Sequence, residues 1–224
     1  MRICVFLRKT NLQLNFDMDI FRDFVNSGNL KLDQQLKFVA EIDKMTSILR
    51  RTLLIDRSRA ENDAEHSWHI AVMALLFKEY AVETVNIHHA VEMMLVHDLV
   101  EIYAGDTFAY DVEGYTTKAE REKDAADKLF AMLPAEQGRY IRGLWEEFEA
   151  KNTSDAKYAN CLDRLQPFLH NVLTEGFTWR TGDKTPVAAQ VRKRMEILRD
   201  FMPEVHAWTE KSVVYAINKK WLKE

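Results

Sequence analysis

Read from its hydrophobic and polar positions, the chain is helical almost from end to end. Asp17 caps a short helix that stops at Ser27-Gly28, with glycine as the terminator. Asp33 caps the next, whose apolar positions Leu36, Val39, Ala40, Ile42, Met45 and Leu49 recur at helical spacing. Residues 50–61 are rich in charge, show no period and read as a structured loop. Asn62 or Asp63 opens a helix to about Tyr80, with Ile70, Met73, Ala74 and Phe77 as one stripe. Another spans about Ile87 to Ala104 and stops at Gly105. A polar loop over 106–116 follows, then helices near 117–133, 136–151 and 154–175. A Trp/Gly loop over 176–183 interrupts the pattern, and two last helices near 186–200 and 204–221 part around Pro203. No strand-like alternation appears. The pattern predicts an all-α, single-domain helical bundle over 17–224, preceded by an N-terminal extension over 1–16.

Composition refines this only at the margins. A chain of 224 residues suits one full-sized core. The hydrophobic share is 47% and the charged share 29%, ordinary for a water-soluble globular protein. Seven glycines and four prolines argue against a turn-dense β fold. A net charge of −4 offers no basic tail for nucleic acid and no basic helix for a membrane surface. Cys4 and Cys161 cannot build a disulfide framework, so a reducing cytoplasm is expected. The apolar run from Ile3 to Leu7 is too short for a signal-peptide core, and no run reaches the length of a membrane span.

The chemistry enters at His97-Asp98, in the middle of the apolar run from Val91 to Glu101. A buried carboxylate beside a buried imidazole is costly unless something pairs with both. A metal ion does so economically. His66 and Asp163 can complete its shell from other helices, as a bundle allows. Singly, each has a plainer reading: a capping histidine, a surface acid, a partner for Arg164. Together, inside apolar helices, they read as a metal site. Two His and two Asp suit Mn, Co, Fe, Zn or Mg.

Glu101 lies three residues after Asp98 and four after His97, and reads as a carboxylate that orients or deprotonates water. Asp106 reads, from local chemistry, as a turn residue after Gly105. Arg50, Arg51, Arg57 and Arg59 crowd the segment before His66, where the planar guanidinium suits a phosphate ester, although at least two of them are expected to be solvated. Pro167, four residues after Asp163, is expected to kink its helix. His69 reads as a packing or hydrogen-bonding group, His88 and His89 as solvated, His170 as structural, Cys161 as without a role, and Trp179 as a core or interface anchor.

One His, then a His-Asp doublet, then a lone Asp resembles the HD superfamily of metal-dependent phosphohydrolases. The stretches Arg59–Ser67, Leu95–Asp106 and Leu144–Glu149 narrow this: over roughly residues 36–200 the chain resembles the HD-domain-containing 5'-deoxynucleotidases. The resemblance implies one divalent metal on His66, His97, Asp98 and Asp163, and a catalytic Glu101. It implies Asp106 near the sugar and Arg51, fifteen residues before His66, on the phosphate. Thr52 stands where a bacterial relative carries a tryptophan, which bears on sugar selection; with Arg59 it joins the expected substrate contacts. The implied substrate is a 2'-deoxynucleoside 5'-monophosphate, and the implied assembly a homodimer. Two rivals remain: hydrolysis of another nucleotide or phosphorylated metabolite, and a non-catalytic, metal-stabilised module that binds a nucleotide or a protein.

Overall fold

The computed structural model of the protein describes residues 26–224, so the expected extension and most of the helix from Asp17 lie outside the described residues. Helix α1 (Leu30–Ile42) is capped by Asn29, whose side chain accepts from the amides of Lys31 and Leu32. Asp33 is therefore not the cap. It sits one turn inside and accepts from the Ser27 amide and hydroxyl. A 3₁₀ turn over Asp43–Ser47 then leads into strand β1 (Leu49–Leu53), which pairs antiparallel with β2 (Ala60–Asn62).

This hairpin replaces the expected loop. Its strands are too short and too charged to show a period, but pairing still imposes alternation. Arg50 and Thr52 turn to one side of β1 and Arg51 to the other. The turn closes through the Leu54 amide donating to the Arg59 carbonyl, with Arg57 at φ 63°.

Asn62 ends β2 and caps α2 (Asp63–Phe77), its side chain accepting from the Glu65 amide while Glu65 returns the bond. Because Asn62 caps, Asp63 is free to face inward. The expected long helix over 87–104 is two. Helix α3 (Ile87–Val96) ends before His97, and α4 (Glu101–Ala104) begins after a tight turn. The turn is closed by bonds spanning three residues, from the Leu99 amide to the Val96 carbonyl and from Glu101 to Asp98. The apolar run is continuous across the break, so hydrophobicity alone could not locate it. Gly105 stops α4 at φ +76°, as its sequence position predicted.

Helix α5 (Val112–Phe130) starts earlier than expected because Asp111 caps it onto Gly114. After α6 (Ala135–Ala150), helix α7 (Ser154–Leu173) continues past Pro167 without a break in its helical assignment. It is buried along most of its length, with Tyr158, Leu162 and Leu165 fully so, and it packs against α2, α3, α6 and the later α9. Each of these three side chains contributes about 1.5–3 kcal/mol of burial. The Trp/Gly loop contains one short helix, α8 (Phe177–Arg180), which seats Trp179 in the core at 1% exposure. Helices α9 (Ala188–Phe201) and α10 (Pro203–Asn218) complete the bundle. The Ala188 amide donates to the Lys223 carbonyl, tying the C-terminal end to the start of α9.

Among the described residues, the class prediction holds: helices dominate, with one small hairpin. No described helix is long and apolar enough to cross a membrane.

Candidate metal centre and adjoining pocket

Three separate elements bring the four sequence-predicted ligands together. His66 lies in the first turn of α2 with no exposure, His97 and Asp98 occupy the joint between α3 and α4, and Asp163 comes from the middle of α7. His97 Nε2 stands 3.0 Å from Asp98 Oδ2 and 3.7 Å from Asp163 Oδ1. His66 Nε2 stands 3.2 Å from Asp163 Oδ1 and 3.9 Å from Asp98 Oδ2. The other ring nitrogens face away. His97 Nδ1 donates to the Met94 carbonyl at 2.8 Å, and His66 Nδ1 to Gln166 Oε1 at 2.9 Å. In the neutral imidazoles these bonds leave the lone pair on Nε2, the tautomer a metal requires.

The fit to a cation is concrete. His97 Nε2 is buried with no hydrogen-bond partner among the described residues, yet it faces two carboxylate oxygens. Two imidazole nitrogens and two carboxylate oxygens converging in this way are a ligand set for a divalent ion. In the protein without an ion, burial opposes a charged His97, but Asp98 and Asp163 outweigh it and push its pKa up to about 10. Burial likewise works against the Asp163 carboxylate, but the two histidines prevail and hold it well below the usual range.

Beside this cluster lies a ring of acids around one arginine. Arg50 Nη1 reaches Asp63 Oδ1 at 3.1 Å and Asp98 Oδ2 at 2.9 Å. Asp63, Glu101 and Asp106 bring carboxylate oxygens within 4.8 Å of one another. Burial, followed by the charge of Asp98, raises Glu101 well above its ordinary value and Asp63 to about 7. Burial also raises Asp106, against the pull of Arg50. Glu101 Oε2 and Asp63 Oδ2 have no hydrogen-bond partner among the described residues. The ring can thus hold and release a proton near neutral pH. Arg121 fixes the segment carrying Asp106 by donating to the Ala104 carbonyl and, at 2.9 Å, to Thr107 Oγ1.

A pocket of roughly 550 Å³, counted with its open mouth, adjoins the ring, with Arg50, Arg51, Thr52, Asp106, Tyr110 and Trp179 among its walls. Arg51 is held over the Phe108 ring, 4.1 Å from its centroid, and reaches Asp183 at 3.5 Å. Arg50, not Arg51, touches the proposed ligands, because strand alternation sends the two side chains opposite ways. Thr52 is buried and donates to Glu61 Oε2 at 3.2 Å. Arg59 does not reach the pocket; Glu65 takes its guanidinium at the surface.

Gln166, which the sequence reading overlooked, is the hub behind His66. Its Nε2 lies 3.2 Å from His69 Nδ1 and 3.1 Å from His170 Nε2, and it donates to Glu61 Oε1. The available signal was its place three residues after Asp163, on the same face of a helix. His69 thus serves as a hydrogen-bonding group, as expected, and His170 joins the same network. His89 departs from expectation: rather than being solvated it sits between Asp155 at 3.1 Å and Glu147 at 3.3 Å.

Comparison with known proteins agrees with this architecture. The chain is 46% identical to a predicted metal-dependent phosphohydrolase from Magnetospirillum magnetotacticum MS-1, whose crystal structure superposes with a TM-score of 0.82 over 89% of this chain and 100% of that one. It is 29% identical to human 5'-deoxynucleotidase HDDC2 over 65% of this chain and 69% of the relative. For the Bos taurus HDDC2 the identity is 31%, over 63% and 67%. The family model described as HD domain matches residues 42–206, and with the match spanning both the histidine-aspartate joint and Asp163, the chain belongs to the HD domain family.

Proposed function

We propose that the protein is a metal-dependent phosphohydrolase that cleaves 2'-deoxynucleoside 5'-monophosphates to the deoxynucleoside and phosphate. The observation that carries the reading is the convergence of His66, His97, Asp98 and Asp163, with a proton-holding acid ring and an arginine-lined pocket beside them. The relatives named as 5'-deoxynucleotidases supply the substrate class. The four side chains hold one divalent ion, Mn, Co, Fe, Zn or Mg.

When bound, that ion supplies Lewis acidity towards a phosphoryl oxygen and acidifies water. The chain's own groups do the rest. Glu101, at the start of α4 beside Asp98, takes the proton of the attacking water. Burial, and then the charge of Asp98, raise its pKa above the ordinary carboxylate value, which makes it a stronger base for that proton. Asp63 and Asp106 share that proton through the ring. Arg50 keeps the ring from accumulating negative charge that would repel a phosphate. Arg51, preset by its stack on Phe108, pairs with phosphate oxygens, and Asp106 with the sugar. The protein works as a homodimer, and the exposed Trp68, Leu75 and Leu76 on α2 are the apolar face for it.

The test is phosphate release from deoxy- and ribonucleoside monophosphates by metal-stripped protein resupplied with Mn, Co, Mg or Zn in turn. Selective release from deoxymonophosphates is expected, as is a loss in kcat of about 10²–10⁴ for Glu101→Gln at unchanged metal content. Full activity in the metal-loaded variant would refute the role given to Glu101.

A further inference from the structure

The pocket carries more positive charge than one phosphate ester uses. Four arginines, Arg50, Arg51, Arg164 and Arg194, line it against one carboxylate, Asp106. The chain as a whole has a net charge of −4, so this surplus is local. Arg50 is committed to Asp63 and Asp98, and Arg51 to the scissile phosphate and Asp183. Arg164 and Arg194 remain. Among the described residues neither forms an ion pair with any carboxylate, although both are half-buried. Arg164 follows Asp163 on α7, so it points about 100° round the helix from the proposed ligand. Arg194 reaches the pocket from α9, which packs on α7. Two half-buried guanidiniums lining one pocket without a carboxylate partner are costly unless an anion joins them. Their planar forks suit a phosphate or a carboxylate.

We propose that Arg164 and Arg194 form a second anion-binding subsite, so that the preferred substrates are phosphate esters bearing another anionic group, phosphate or carboxylate, away from the scissile one. The inference rests on the phosphohydrolase reading and deepens it. Tyr110, half-buried in the wall of the same pocket, suits a flat or apolar body between the two anions.

The test uses two substrate pairs that differ in the remote anion alone or nearly so. One is 2'-deoxyadenosine 3',5'-bisphosphate against 2'-deoxyadenosine 5'-monophosphate. The other is 6-phosphogluconate against glucitol 6-phosphate, both open chains. In at least one pair kcat/KM is expected to favour the doubly anionic member by about tenfold or more. The first pair reports a phosphate ligand and the second a carboxylate. Arg194→Gln should bring that ratio close to one, and Arg194→Lys should recover part of it. Ratios near one in both pairs for the wild type, or a ratio unmoved by Arg194→Gln, would overturn the subsite. Calorimetric binding of the same four compounds to the Glu101→Gln protein reads the preference without turnover. A protein that releases no phosphate but still binds the doubly anionic members more tightly would sink the hydrolase reading and keep the subsite.

Discussion

Replacing Gln166 with leucine tests how far the metal centre depends on its surroundings. The side chain is fully buried and serves two masters. Its oxygen accepts from His66 Nδ1 at 2.9 Å, which fixes the tautomer and ring plane. Its nitrogen faces Glu61, His69 and His170. Leucine has similar bulk but no polar atoms. His66 then loses the bond that presents Nε2, and metal affinity should fall roughly 10–100-fold. Glu61, at 1% exposure, loses a donor as well. A buried acceptor left without its partner costs about 1–3 kcal/mol, or a fall in Tm of about 2–4 °C for each kcal/mol in a chain this long. Equilibrium dialysis against Mn or Zn reads the first effect and thermal unfolding of the metal-free protein the second. Gln166→Glu separates them. It keeps an acceptor for His66 but sets a carboxylate against Glu61, so affinity should survive better than stability. Wild-type metal affinity in Gln166→Leu would refute the reasoning.

Other perturbations follow from the same geometry. Arg50→Met strands Asp63 and Asp98 and should cost about 3–5 kcal/mol of stability, read by denaturant unfolding. Burial raises Asp63 from 3.8 to about 7, so the folded chain keeps a proton that the unfolded chain gives up. Stability therefore falls as pH rises from about 4 through about 7, and Arg50→Met, which removes a charge that lowers Asp63, should carry the fall to higher pH; a pH-independent loss would count against it. His97, at about 10, is protonated in the metal-free protein at pH 7, and an ion must expel that proton. Calorimetry in two buffers of different ionisation enthalpy should register about one proton released; none would contradict the ligand role. Gly105 and Gly176 both have positive φ, but only Gly176 has backbone close by, the Trp221 carbonyl at 2.6 Å from where a Cβ would stand. Gly176 is in the left-handed region, so Gly176→Ala should cost more than the about 1–2 kcal/mol that this conformation alone costs an alanine; a loss within that range on denaturant unfolding would show that the contact does not matter.

The helices and the four converging residues could be read from the sequence for the same reason. A 3.6-residue period and a fixed order of ionisable groups within apolar runs both leave marks along the chain. Features set by pairing across the fold left none. The hairpin at 49–62 is too short and too charged to alternate visibly, so the resemblance singled out Arg51 while the place of Arg50 against the proposed ligands had to wait for strand geometry. The joint at His97–Val100 was hidden because residues on either side are equally apolar. Gln166 was missed because a neutral amide gives no signal unless its partners, here 105, 100 and 97 residues away along the chain for Glu61, His66 and His69, are known to be near. Asp33 resembled a cap, but Asn29 already satisfied the first amides of α1.

Asp163, Gln166 and His170 occupy one face of α7 at offsets of zero, three and seven. That spacing makes the segment a ruler. Deleting or inserting a single residue between them would rotate everything beyond it by about 100° and shift it by about 1.5 Å along the axis. An aspartate, an amide and an imidazole would then lose their shared direction even though every residue type survived. Length variation among relatives should therefore collect in surface connections such as 181–187, while the seven-residue interval keeps its count. Within this helix, spacing is a stricter constraint than identity.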